Sequence, residues 1–254
     1  MLAAVESGNA KKLAELMRQD PGFKVNMAQN DSGWTLLHYA CHRVSRFAVI
    51  PLLLAHPGIN VNVKDMFGQT PFYFACSDGN PTCVREMLKD SRVKVNEPSN
   101  YGSTPLWRST FNDHLGVIKW WIASGREMDL GRPVETGTTD AIGVAKNKGK
   151  TEVVTLLERF KSDPTKTRSE VRLELDLLDD LAAEMFALVV FVSDGLLRIK
   201  RTTPSPAARY LKIASRLPLE LQMLLCFRVV GSAKEIIPGT EREAAFRELA
   251  RRLW

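Results

Sequence analysis

Gly68-Gln69-Thr70-Pro71-Phe72-Tyr73-Phe74-Ala75-Cys76 occurs three times along the chain in recognisable form. Gly33-Trp34-Thr35-Leu36-Leu37-His38-Tyr39-Ala40-Cys41 precedes it, and Gly102-Ser103-Thr104-Pro105-Leu106-Trp107-Arg108-Ser109-Thr110 follows it. Thr35, Thr70 and Thr104 fall 35 and 34 residues apart, and a degraded copy beginning Asp140-Ala141-Ile142-Gly143 follows 36 residues after Thr104. A fixed period of this length marks a stack of like supersecondary units, each burying an apolar face that none could bury alone. The local chemistry of one unit is also readable. Each threonine offers the oxygen that caps a helix N-terminus, and Pro71 and Pro105 stand at the first helical position, where the missing N–H costs nothing. A second apolar helix should follow, as at Cys83 to Leu88 and Leu115 to Ile122. After it come the extended pairs Val25-Asn26, Val61-Asn62 and Val95-Asn96. Gly33, Gly68 and Gly102 then predict hairpin-like turns.

The stretches at Gly68 and Gly102 resemble the ankyrin repeat, whose motif is G-x-T-P-L-H-x-A-A. Departures are Leu36 for the proline, Tyr73, Trp107 and Gly143 for the histidine, and a long loop from Leu130 to Gly137. The resemblance implies an all-α ankyrin-repeat solenoid of helix-turn-helix units with hairpin fingers over residues 1–160. About five units are expected, the last degenerate. The first, a helix pair over Leu2 to Leu16, lacks its own finger, which points to a fragment or an N-terminal cap. By the same resemblance His38 should hydrogen-bond between neighbouring repeats.

Residues 161–168 are charged, carry Pro164 and hold no apolar group, so they read as a linker. Beyond it the period is lost, and 169–254 reads as a C-terminal helical module. Leu173, Leu175, Leu177, Leu178, Leu181 and Met185 recur at mostly helical spacing, and the helix becomes apolar all round over 186–192, with Gly195 ending or bending it. Shorter helices are expected over 206–216, 219–229 and 241–253, separated by Pro218, Gly231, Pro238 and Gly239. The terminal repeat needs a cover for its apolar flank, which Lys146, Lys148 and Lys150 or the 185–192 helix could supply.

The 254 residues are 44% hydrophobic and 25% charged, which excludes a wholly disordered chain. The longest apolar run, 185–192, is too short for a membrane span. Cys41, Cys76, Cys83 and Cys226 sit in apolar stretches without C-x-x-C spacing, and no secretory leader pattern opens the chain, so a cytoplasmic or nuclear setting is expected. The net charge of +6 is interleaved with acidic residues. Even the basic stretch from Lys146 to Arg168 reads as a solvated face rather than a nucleic-acid site or nuclear address. His38, His42, His56 and His114 lack zinc-site spacing, no phosphate loop is present, and Cys41 with its neighbour His42 cannot form a facing dyad. No enzyme activity, metal, cofactor or small-molecule substrate is expected.

The resemblance instead implies a protein-binding scaffold or adaptor acting through its concave surface. The family's variable contact positions are the two residues before the motif glycine, the one after it, and the two after the paired small residues. They fall here on Asp31, Ser32, Trp34, His42 and Arg43, then Met66, Phe67, Gln69, Ser77 and Asp78, then Asn100, Tyr101, Ser103, Phe111 and Asn112. Trp34, Met66, Phe67, Tyr101 and Phe111 form an apolar row where the repeat geometry gives little burial. The alternative for Trp34 or Tyr101 is packing against the neighbouring finger. A different function is implied by Leu217 to Gln222, which resembles the L-P-x-E-L opening of an F-box and would make the chain a ubiquitin-ligase substrate receptor.

Overall fold

The computed structural model describes residues 1–130, 140–197, 206–230, 237 and 239–253. The chain divides into two compact units, Met1–Arg168 and Ser169–Trp254.

The first unit is a series of helix pairs. They are α1 (Leu2–Glu6) with α2 (Ala10–Gln19), α3 (Leu36–Cys41) with α4 (Ile50–Leu54), α5 (Pro71–Ser77) with α6 (Pro81–Lys89), α7 (Pro105–Phe111) with α8 (Leu115–Ser124), and α9 (Ala141–Asn147) with α10 (Thr151–Ser162). A 3-10 turn, Val44–Val49, leads into α4. The first helices α3, α5, α7 and α9 pack in one row, and α2, α4, α6, α8 and α10 in a second. Leu36, Phe72, Met87, Leu106, Ile118 and Trp121 are fully buried in this unit. Side chains of this size each contribute about 1.5–3 kcal/mol on burial.

The helix starts lie where the threonines and prolines place them. Thr70 Oγ1 accepts from the N–H of Tyr73 (3.2 Å), Thr104 Oγ1 from that of Trp107 (3.2 Å), and Asp140 Oδ1 from that of Gly143 (2.8 Å). Asn9 and Asn80 cap α2 and α6 in the same way. At α3 the histidine completes the cap: the Thr35 N–H donates to His38 Nδ1 at 3.0 Å. His38 Nε2 lies 3.2 Å from the Gln69 carbonyl of the next repeat, the inter-repeat bond that the family resemblance implies.

The Val-Asn pairs tie the repeats together. Val25, Val61 and Val95 are buried. Asn62 Nδ2 donates to the Arg92 carbonyl (2.9 Å) and its Oδ1 accepts from the Lys94 N–H (2.8 Å), so one amide satisfies two backbone groups of the next unit. Asn26 and Asn96 repeat the arrangement towards Gly58–Asn60 and Glu127–Asp129. The fingers turn at Gly33, Gly68 and Gly102, with φ of +82°, +72° and +74°. A Cβ on Gly68 would stand 2.2 Å from Asn100 Oδ1 and 2.8 Å from Asn100 N, so both the backbone conformation and the space require glycine. Adjacent fingers bond directly, Met66 N–H to the Ser32 carbonyl and Asn100 N–H to the Phe67 carbonyl, each at 2.9 Å. No strand is formed among the described residues.

Residues 161–168 are helical on both sides of Asp163 rather than an irregular linker. α10 runs to Ser162, and α11 (Pro164–Glu174) starts at the proline with Asp163 Oδ1 accepting from the Lys166 N–H (2.9 Å). Charge and Pro164 mark a helix start here, not an absence of structure, and Arg168 Nε donates to the Ile122 carbonyl of α8 (3.2 Å). The leucine series is likewise not one helix: α11 ends at Glu174, and Asp176, at φ +53°, turns the chain before α12 (Leu178–Ser193). The expected loop lies outside the described residues from Gly131 onward.

The second unit also contains α13 (Pro206–Ala214), α14 (Leu219–Val230) and α15 (Gly239–Leu253), all three packed on α12. Its core joins Ala182, Ala183, Phe186, Ala187 and Val189 of α12 to Ala214, Met223, Cys226, Phe227, Ile237 and Ala245. The apolar side of α12 is therefore buried within its own unit. Gly195 (φ +73°) follows the end of α12, and Gly239 begins α15 instead of making a turn. The turns expected at Gly231 and Pro238 lie outside the described residues. No described helix is long and apolar enough to cross a membrane.

Candidate functional site

Asn30, Asp65 and Ser99 each stand three residues before a finger glycine, and each shapes its fingertip by accepting from backbone. Asn30 Oδ1 takes the Trp34 N–H (2.9 Å), Asp65 Oδ1 takes those of Phe67 (2.9 Å) and Gln69 (2.8 Å), and Ser99 Oγ takes that of Tyr101 (3.3 Å). These turns hold Met66, Phe67 and Tyr101 out at 60%, 39% and 54% exposure. Trp34 is only half-buried and sits at the centre of an aromatic group. Its ring centroid lies 4.6 Å from Phe74, 5.1 Å from His42 and 5.2 Å from Tyr39. Trp34, Asp65, Phe67, Gln69, Phe74 and Tyr101 border an open depression of about 410 Å³.

The expected contact residues divide by environment. Asp31, Arg43, Met66, Phe67, Asp78, Asn100 and Tyr101 are exposed, and Ser32, Trp34, His42, Gln69, Ser77, Phe111 and Asn112 are half-buried. Ser103 is 7% exposed and is spent inside the stack, its Oγ lying 2.9 Å from both Tyr73 Oη and Ser99 Oγ. Asn112 Nδ2 donates to the Ser77 carbonyl (2.7 Å), and His42 Nδ1 lies 2.6 Å from Asp78 Oδ2, so these polar positions also join neighbouring repeats. Trp34, Phe67 and Tyr101 share one depression, while Phe111 stacks instead on Trp107 at 5.3 Å beneath Arg108 and Lys148. Tyr39, Asp65 and Phe74 belong to the site but were not among the expected positions. The repeat offered a signal for them: Tyr39, Phe74 and Arg108 occupy one register of the first helix, as Asn30, Asp65 and Ser99 do of the finger.

The chemistry of the titratable groups is quiet. Burial holds His38 below the ordinary histidine value and pushes the Cys76 and Cys83 thiols well above theirs, away from thiolate nucleophiles. Lys146 pairs with Glu158 at 2.6 Å and Lys150 with Asp113 at 3.0 Å. Among the described residues no group of three or more His, Cys, Asp or Glu could hold a metal ion.

A family profile described as "Ankyrin repeats (3 copies)" matches residues 47–132. Residues 47–132 are ankyrin repeats. The matched stretch begins in the 3-10 turn before α4 and runs through α8, taking in the fingers at Gly68 and Gly102. The ankyrin region is similar to SMC5-SMC6 complex localization factor protein 1 of Bos taurus, 38% identical over 110 residues, which is 40% of this chain and 10% of that protein. Its Homo sapiens counterpart is 38% identical over 101 residues, 38% and 9% of the two chains. Transient receptor potential cation channel subfamily A member 1 of Homo sapiens is 32% identical over 114 residues, 44% and 10%. The matches thus span about a tenth of these relatives' length.

Proposed function

We propose that this ankyrin-repeat chain is a non-catalytic adaptor that seats a partner protein on the face made by its fingers and first helices. The observation that carries the reading is the row of exposed Met66, Phe67 and Tyr101 on successive fingers beside the half-buried Trp34. Apolar and aromatic side chains held out by backbone turns gain nothing from folding there, and buried aromatic anchors dominate protein interfaces. The relatives support a recognition module over a shared chemistry. A protein named as a complex localisation factor and a cation channel resemble this chain over only about a tenth of their length. Against catalysis stand the buried, protonated thiols and the use of His38, His42 and His114 in bonds between repeats. Buried free cysteines fit a reducing compartment, cytosol or nucleus.

With a partner captured from the native source, the double substitution Phe67→Ala and Tyr101→Ala should weaken binding about tenfold or more. Circular dichroism and melting temperature should stay near those of the parent chain. Unfolding would assign the rings to the core, and unchanged binding would move the partner to another surface.

A second reading has its own observation in the other unit. Leu219 and Leu221 of the F-box-like stretch are 48% and 47% exposed on α14, available to a ubiquitin-ligase adaptor. Co-purification of such an adaptor, lost only when the second unit is removed, would establish that reading in place of the first.

A further inference from the structure

We infer that Arg108, Phe111 and Lys148 form a receptor for an acidic side chain, aspartate or glutamate, presented by the partner polypeptide. This rests on the reading of the fingers and first helices as a partner-binding face, and it names a second point on that face and the charge selected there. Two cations converge on one ring. The Arg108 guanidinium carbon lies 5.5 Å and Lys148 Nζ 4.5 Å from the centre of the Phe111 ring, although they belong to different repeats. Trp107 stacks on the same ring at 5.3 Å with 20° between the planes, which holds the platform in place. Lys148 follows the end of α9 as Asn112 follows α7 and Asp78 follows α5, so it occupies the contact register of the next repeat.

Neither cation is neutralised within the fold. Among the described residues neither side chain has a carboxylate or a hydrogen-bond partner. Arg108 is half-buried, yet none of its guanidinium nitrogens is sealed from solvent, and Lys148 is exposed, so a partner reaches both. The neighbouring lysines differ, because Lys146 pairs with Glu158 at 2.6 Å and Lys150 with Asp113 at 3.0 Å. Two like charges held against one ring repel each other, and an anion placed between them relieves that repulsion.

The arrangement also selects among occupants. The planar fork of Arg108 matches a carboxylate with two parallel bonds, and Lys148 adds a point charge from the next repeat. A nucleic-acid backbone needs a run of unpaired cations, whereas here Glu158 and Asp113 hold the flanking lysines and would repel phosphates. An apolar side chain would cover the Phe111 ring but strip water from both charges and replace it with nothing.

The test is an NMR titration of the full chain with an N-acetylated tetraglutamate amide, with the tetraglutamine amide as its neutral counterpart. The acidic peptide should shift the Phe111 and Lys148 amides and the Trp107 indole N–H saturably, and the neutral one should bind about tenfold more weakly or worse. The paired substitution Arg108→Gln, Lys148→Gln removes no side-chain hydrogen bond among the described residues, so its spectrum should remain that of the folded chain while the response is lost. Lys161→Gln with Lys166→Gln lowers the net charge equally at two exposed positions and should leave the response intact. Equal binding of tetraglutamine, an unchanged response in Arg108→Gln, Lys148→Gln, an equal loss in Lys161→Gln, Lys166→Gln, or no saturable shift would each overturn the inference. The captured partner, assayed at low salt where exposed charges are least screened, separates this inference from the reading of the face. Binding lost in the Phe67→Ala, Tyr101→Ala chain but kept in Arg108→Gln, Lys148→Gln removes the acidic receptor and leaves the binding face, whereas binding kept in both removes the face as well.

Discussion

His38 is a buried link between two repeats, and the bonds to the Thr35 N–H and the Gln69 carbonyl are those of the neutral ring. Its Nδ1 accepts from the Thr35 N–H and its Nε2 donates to Gln69 of the next unit, so a proton on Nδ1 would cost the Thr35 N–H its acceptor and leave Nδ1 only the Thr35 hydroxyl, 3.0 Å away, as a partner. Burial is the largest cause of its lowered pKa, outweighing the carbonyl of Gln69 and the charge of Asp65, which both act to raise it. The sign of the pH dependence follows. The unfolded chain takes up a proton near the ordinary histidine value of about 6.5, while the folded chain resists it to lower pH. Stability is therefore full above about pH 6.5 and falls as pH drops towards the lowered folded value, by about 1.4 kcal/mol for each unit of separation. Denaturant unfolding of the parent and of His38→Gln, whose amide stays neutral throughout, should diverge between about pH 7 and pH 5. The parent should lose stability more steeply. Parallel curves would show that the ring is protonated in the fold without cost.

At the scale of elements, what was legible in the sequence was whatever the backbone needed. The caps at Thr70 and Thr104, the turn at Gly68 and the Val-Asn pairs with their buried valines all follow from residue types with one physical use at that spot. α11 was hidden because Pro164 and charge serve a helix start and a linker equally well. The break at Asp176 was hidden because a leucine count continues through a single left-handed residue. In the site, exposure at Phe67 and Tyr101 was legible from the repeat register, whereas Asp65 and Phe74 depend on which fingers and helices meet across repeats. Arg126 is a further case of meaning supplied by packing. It lies beyond α8, yet its guanidinium donates to the carbonyls of Leu88 (3.3 Å), Asp90 (3.0 Å) and Val93 (2.6 Å), satisfying the end of α6 and the turn after it. Arg126→Ala should lower unfolding free energy by roughly 1–3 kcal/mol, as expected for charge-assisted bonds to partly buried acceptors. Arg126→Lys should recover less than half, since an ammonium cannot reproduce the planar fork. Full rescue by lysine would reduce the residue's role to charge alone.

For the whole molecule the decisive feature is that each unit has a core of its own. The repeats bury Phe72, Leu106, Ile118 and Trp121 among themselves, and their last helix pair is continued by α11, fastened to α8 through Arg168. The 185–192 segment could be read in sequence as a cover for the final repeat because an all-round apolar helix announces burial without naming its partner. In the structure Phe186, Ala187 and Val189 meet Met223, Cys226 and Phe227, residues with no repeat period to mark their association. A chain ended after Glu174 keeps every helix pair of the repeats together with all of α11. Its melting temperature should lie within about 2 °C of the repeat transition in the full chain, a margin that in a domain of this size corresponds to less than about 1 kcal/mol. It should also bind no more of an apolar dye than the full chain does. A drop of several degrees with increased dye binding would mean that the second unit contributes to the stability of the repeats, and that its removal uncovers apolar surface the repeats cannot cover themselves.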